Sequence, residues 1–509
     1  MSILRSINFA VLLSLSVVLF CGCKKEAPIV IPEVNDTSIN VVNYEGVYSY
    51  LEQEATIKYT INNDLLTPDT TFTATSNVSW VSIISSSEIG AIEIHIDRND
   101  GERREAEITI SAPGYDTTTT SITQLGLPTG DATHTLMFFF CGTSLNRFFK
   151  KNLEDAMVAI KAGVIGNNRV VIFRQDTSSK AYINELYYDE ANNKCVETRI
   201  RDISPITKNE VLSPEEISQY ISLMAAVAPA ERYGLVMAGH GHGWITREII
   251  ESDSDISTYS AGYNPWIPAA GAEVTRDFGE SNVRMNIDEI AEGIELSGVE
   301  LDYILFDACF MSNIEAIYDL RNSANYIIAS PTEIMGNGFP YHRTLPYLFN
   351  NYGESSDYVG AAESYYKFYR DEYVSNYRCG SVTVYDCSKI EALAAATREV
   401  VKSASYENIN TSKLQFYEGQ PIHFFYDFGE WVNVIATDDE ALKNFNTTLD
   451  ECVVKTFSLD SFYSAYGNSG TYPIDLDVYS GVTTSAPSTA FPNGWMTTNW
   501  YNDVIKLEN

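Results

Sequence analysis

Five apolar runs constrain this chain more than any other feature. "TLMFFFC" (135–141), "RVVIFRQ" (169–175), "YGLVMA" (233–238), "LDYILF" (301–306) and "NYIIAS" (325–330) show no alternation of polar and apolar residues. A strand with one wet face alternates, whereas a strand covered on both faces by helices does not, and such strands are usually parallel. Helical patterns lie between the runs. "SPEEISQYISLMAAVA" opens with a capping box, Ser213 and Glu216, with Pro214 at the first helical position. Its apolar residues Ile217, Tyr220, Ile221 and Met224 recur at helical spacing. Another helix is expected from about Asn286, and a second box, Ser312 and Glu315, is expected to open "SNIEAIYDL". "SVTVYD" (381–386) completes the series of strands. The fold class expected for 134–400 is α/β, a doubly wound, mostly parallel sheet with helices on both faces; 401–509 is expected to extend the same domain.

The chain begins differently. Arg5 followed by the apolar stretch Ile7 to Phe20, 14 residues long, reads as a signal peptide rather than a membrane span. "LFCGCKKE" resembles a lipobox, which implies lipidation at Cys23 after removal of residues 1–22; simple secretory cleavage is the alternative. That places the protein in a bacterial cell envelope, lipid-anchored at the outer membrane or cell surface. Residues 23–45 read as a linker. From 46 to 127 the period changes to two: Ile92, Ile94 and Ile96 alternate with Glu93, His95 and Asp97. A small β-sandwich is expected there. "SNVSWVSI", "GERREAEITIS" and "ITQLG" resemble a BACON-type module, an Ig-like domain whose resemblance implies possible glycan partners, although Trp80 reads better as core than as a sugar platform.

Charge and cysteine count narrow the function. With Lys+Arg 34 against Asp+Glu 68, the net charge is −34, which argues against nucleic acid as a partner. Beyond Cys21 and Cys23 the chain holds six scattered cysteines, which is no disulfide framework. Cys379 and Cys387 flank one extended stretch, too far apart to bond, so at least one free thiol is expected.

Two loops then come together. "AGHGHGW" (238–244) follows the third apolar run, and "DACFMS" (307–312) follows the fourth. In open α/β sheets, reacting groups collect beyond the carboxyl ends of strands. His240 and Cys309 would both stand there. Cys309 would lie just before a helix start, which favours a thiolate. The pair would supply a nucleophile and a general acid, with the N–H groups of Gly241 and Cys309 as oxyanion donors. A glycine-rich loop with solvated histidines, or a structural cysteine, is the plain alternative for either motif taken alone.

"HGHGW" and "FDACFMSNIEA" resemble the His and Cys motifs of the clostripain family of cysteine peptidases, in the clan of caspases, legumains and gingipains. "TLMFFFCGTSLNRFFKKNLEDA" and "ASPTEIMGNGFPY" resemble that family's opening strand and helix and a later segment. The resemblance implies that His240 and Cys309 are catalytic, that His242 is a loop residue, and that proteins or peptides are cleaved after Arg or Lys. It implies a specificity pocket floored by Asp307, with Asn337 in "MGNGF" where relatives carry a second acid, so the basic preference is expected to be weaker. No cofactor is required by the sequence; calcium is a candidate through resemblance alone. Two alternatives remain at this level: a non-catalytic binding lipoprotein on a peptidase fold, and a transpeptidase or ligase using the same acyl-enzyme. Between Trp244 and Asn286 lies an unusually long connection whose basic residues are Arg247, Arg276 and Arg284. Self-cleavage after one of them is expected.

Overall fold

The computed structural model describes residues 37–507, leaving out 42–46, 127–130, 204–211, 252–264, 277–284, 405–408, 467–472 and a few shorter stretches. Its main sheet has nine strands: β1 (His134–Phe140), β2 (Arg169–Thr177), β3 (Lys180–Asp189), β4 (Lys194–Ile203), β5 (Arg232–Ala238), β6 (Tyr303–Asp307), β7 (Tyr326–Ala329), β8 (Val382–Asp386) and β9 (Val453–Phe457). Their spatial order is β4-β3-β2-β1-β5-β6-β7-β8-β9. The middle strands β2, β1, β5, β6 and β7 run parallel. Antiparallel pairs close both edges. Every residue of β1 and of β6 is buried, as expected of strands covered on both faces.

Helices α1 (Asn146–Lys161), α5 (Tyr341–Leu348) and α6 (Tyr358–Asp371) pack side by side, while α2 (Pro214–Val227) pairs with α3 (Ile287–Ser297). Ser213 caps α2 with Glu216 in a reciprocal box. The other expected box is displaced by one residue. The short helix α4 (Ile314–Asp319) is capped by Asn313, whose side chain accepts from the Ala316 N–H. Glu315 instead turns inward and accepts from the Ser485 N–H, Thr484 Oγ1 and Trp495 Nε1. A buried carboxylate is worth more as an anchor for three donors than as a second cap. Those donors belong to the C-terminal segment, which shares one apolar core with the sheet, from Leu136 to Ile505.

Residues 39–124 form two four-stranded sheets around a separate core that includes Ile57, Ile92, Ile94, Ile96, Ile108, Ile110 and Ile122. Their first strand, Ile39–Val41, lies within the stretch that composition marks as linker; it pairs antiparallel with residues 59–61. Trp80 packs half-buried against this core, and the Arg104 guanidinium covers its ring at 4.2 Å. His95 faces outward, 3.3 Å from Asp97 and 3.6 Å from Glu52. Among the described residues no helix is long and apolar enough to cross a membrane. The signal segment with Cys21 and Cys23 lies outside the described residues.

Candidate active site

In the sheet register Ala238 of β5 stands opposite Asp307 of β6. His240 and Cys309 each follow two residues later, so adjacent strand ends deliver them at the same level. The backbones touch there. A Cβ on Gly241 would lie 2.3 Å from the Cys309 carbonyl oxygen and 2.9 Å from its nitrogen, so only glycine permits the approach. After Cys309 the chain turns sharply: Phe310 adopts a positive φ of 59°, unusual for a bulky residue, and its ring stacks on Phe425. The loop after β1 contributes Ser144, whose Oγ lies 2.9 Å from His240 Nε2.

Cys309 is fully buried, and its Sγ accepts from the Ile334 N–H at 2.9 Å. This replaces the expected helix end as the nearest donor. The helix starts only after Asn313, and it is too short to project much field back to the sulfur.

Arg276 fills the remaining space. Its carbonyl oxygen accepts from Gly241 N at 2.9 Å and from Cys309 N at 3.3 Å. Its guanidinium, with no exposed surface, pairs with Asp307 Oδ2 at 2.7 Å. It also donates to Asn152 Oδ1 at 2.6 Å, the Asp307 carbonyl at 3.1 Å and the Gly336 carbonyl at 3.2 Å. Its backbone N–H donates to the Ile334 carbonyl at 2.8 Å, Gly336 N donates to the Val274 carbonyl at 2.7 Å, and Thr275 bridges antiparallel to Met335. Residues 274–276 therefore lie along 334–336 as an added strand, the usual way an extended peptide docks on exposed backbone.

The pocket differs from expectation at its second residue. The Asn337 side chain points to solvent; only its carbonyl takes part, accepting from Asn152 Nδ2 at 2.7 Å. The amide that meets the guanidinium is Asn152 of α1. Sequence analysis missed it, although a signal exists: Asn152 is a lone polar residue on the buried stripe Phe149, Leu153, Ala156 of α1. His242 is a buried loop residue whose carbonyl accepts from Ile245 N. Arg247 pairs with Glu289 and Glu248, and Arg284 lies outside the described residues. Among the described residues, no group of three or more His, Cys, Asp and Glu side chains is arranged to hold a metal ion.

Burial pushes the Asp307 carboxyl above its ordinary range; Arg276, Tyr341 (Oη donating at 2.6 Å) and the Phe339 N–H pull it back. A pocket without Arg276 loses the largest of these opposing influences, while water entering it relieves part of the burial. Only its ionised form attracts a basic side chain. kcat/KM for Arg substrates is therefore expected to fall on the acid side at a pH above the ordinary carboxylate range, while substrates with neutral side chains lack that limb. A profile for Arg peptides that stays flat down to about pH 4 contradicts this. The pocket wall gives a second expectation. A Cβ on Gly338, which has a φ of 67°, would lie 2.3 Å from Arg276 Nη2 and 2.6 Å from Asp307 Oδ1. Gly338→Ala is expected to raise KM for Arg peptides by about tenfold or more, with less effect on small neutral ones, in a steady-state assay.

A thiol and an imidazole at neighbouring strand ends, with two N–H groups on one carbonyl oxygen, suit acyl transfer by a cysteine nucleophile. Comparison with known proteins agrees with that class. The model of the clostripain family matches residues 137–504. The structure is similar to that of a secreted C11 cysteine protease from Bacteroides thetaiotaomicron, "iotapain", at 27% identity and a TM-score of 0.63, covering 74% of this chain and 100% of that one. It is also similar to an inactive zymogen C11 protease from Parabacteroides distasonis, at 26% identity and a TM-score of 0.61, over 74% of this chain and 99% of that one. A secreted C11 cysteine protease from B. thetaiotaomicron in complex with an irreversible peptide inhibitor matches at 25% identity and a TM-score of 0.58, over 73% and 99%. No curated protein sequence matches the chain. The chain belongs to the clostripain family of cysteine proteases.

Proposed function

We propose that this chain is an envelope-anchored cysteine endopeptidase made as a self-blocked precursor, with Arg276 seated as its own first substrate. The Cys309 thiolate attacks the carbonyl carbon of the basic residue. The developing oxyanion takes hydrogen bonds from the Gly241 and Cys309 N–H groups, and His240 passes a proton to the leaving amine. Water then attacks the thioester and returns the free thiol. Asp307 and Asn152 select Arg or Lys before the cut, one carboxylate supplying the charge and one amide a further acceptor. The observation that carries this function is the double engagement of Arg276: its carbonyl oxygen meets both N–H donors while its guanidinium meets Asp307. The solved zymogen and the peptide-inhibited relative support it by similarity. Cys23 would carry the lipid that holds the enzyme at the envelope, and the N-terminal sandwich would serve as an accessory module, with glycans as its candidate ligand.

A peptide library incubated with the purified protein tests the specificity. Cleavage after Arg and Lys is expected; wild-type cleavage that ignores basic residues sinks the assignment of the pocket.

A further inference from the structure

The docked strand also defines what surrounds the residue before Arg276. Thr275 is 3% exposed, and its Oγ1 donates to Glu333 Oε2 at 2.7 Å. Glu333 has no exposed surface and directly precedes Ile334, whose carbonyl holds the Arg276 N–H. Its carboxylate is also held by the C-terminal segment. Ser464 Oγ donates to Oε1 at 2.5 Å, and the Ala465 N–H lies 3.1 Å from Oε1 and 3.0 Å from Oε2. Ser464 Oγ in turn accepts from Gly419 N at 3.0 Å. Two of the donors to this buried carboxylate thus belong to the permanent structure, and the docked peptide supplies another through its hydroxyl. A buried charged acceptor that loses one of its donors is left less well compensated for its desolvation.

We propose that Glu333, held by Ser464 and Ala465, is the floor of a subsite that selects a hydroxyl side chain, threonine or serine, immediately before the basic residue at the cut. The proposal rests on residues 274–276 occupying the substrate position. Valine has the shape of threonine but presents a methyl group where the carboxylate needs a donor. The floor lies one hydrogen bond beyond Oγ1, so a lysine or arginine side chain in this position cannot extend without displacing Glu333.

The test uses the self-processed protein and fluorogenic peptides that end in Thr-Arg, Ser-Arg, Val-Arg, Ala-Arg and Lys-Arg. Thr-Arg is expected to exceed Val-Arg in kcat/KM by about 10- to 100-fold, the range for one hydrogen bond to a buried charge. Thr275→Val in the full chain should slow its self-cleavage by a similar factor. Glu333→Gln should shrink the Thr-to-Val ratio to less than about threefold while the preference for Arg over Leu at the cut persists, a split that general damage to the fold would not produce. The wild-type ratio decides the matter even if that variant does not fold. Turnover of Val-Arg equal to that of Thr-Arg, or a preference for Lys-Arg, overturns the subsite and leaves the Arg specificity standing. Failure to turn over any Arg peptide, together with no cut after Arg276, overturns the underlying function and the subsite with it.

Discussion

Cys309→Ala is expected to lower peptide turnover by at least about 10⁴-fold, the scale on which removing a nucleophile acts when its partners remain. The fold should survive, because the thiol is one small buried group that meets the Ile334 backbone. The same residue should be the only target of an alkylating peptide that ends in arginine. Burial pushes the Cys141 and Cys387 thiols well up and Cys452 up to about 12, and Cys195 is also raised, so none of these supplies thiolate near neutrality. Peptide mapping by mass spectrometry after labelling checks this. Label on another cysteine, or substantial turnover by Cys309→Ala, contradicts the role given to Cys309.

Asp307→Asn should have the next largest effect. The Asp307–Arg276 pair is fully buried, and removing one partner of such a pair costs about 2–5 kcal/mol. That corresponds to a loss of roughly 30- to 5,000-fold in kcat/KM for Arg peptides. The loss is selective. Tyr341 can still donate to the amide oxygen of the variant, so the pocket keeps its shape, and neutral residues before the cut should be handled nearly as in the wild type. Asn337→Asp is the matched control: its side chain is exposed, and a charge there should alter kcat/KM by no more than about twofold. Measuring the Arg-to-Leu ratio across the three proteins separates a pocket built from Asp307 and Asn152 from one built from Asp307 and Asn337.

The strands that carry the site were legible because burial on both faces writes an unmistakable pattern: "YGLVMA" and "LDYILF" became β5 and β6, and the motifs after them fell at one level of the sheet. The edges were not legible. Strand β4 is mostly exposed and β3 only partly buried, so neither carries an apolar run, and β9 gains its place only by pairing with β8 far away in sequence. The direction of β8 was hidden for the same reason, since "SVTVYD" reads alike in either orientation. The local capping rule found Ser213 and Glu216 but misplaced Glu315, whose partners arrive from residues 484–495. Asn152 left only the trace of a polar residue on a buried helical stripe, and Glu333 left none, because its role depends on the docked strand. Of the three candidate arginines in the long connection, sequence could not choose; the proposal of Arg276 rests on its pairing with Asp307.

N-terminal sequencing of the fragments formed by the purified full chain, beside those of Cys309→Ala, tests the central claim most directly. The wild type should yield a new fragment that begins at Asp277, at a rate independent of protein concentration, while Cys309→Ala stays a single chain. A fully active enzyme that remains uncut, or the same cut at the same rate in Cys309→Ala, would contradict the seating of Arg276 as the first substrate.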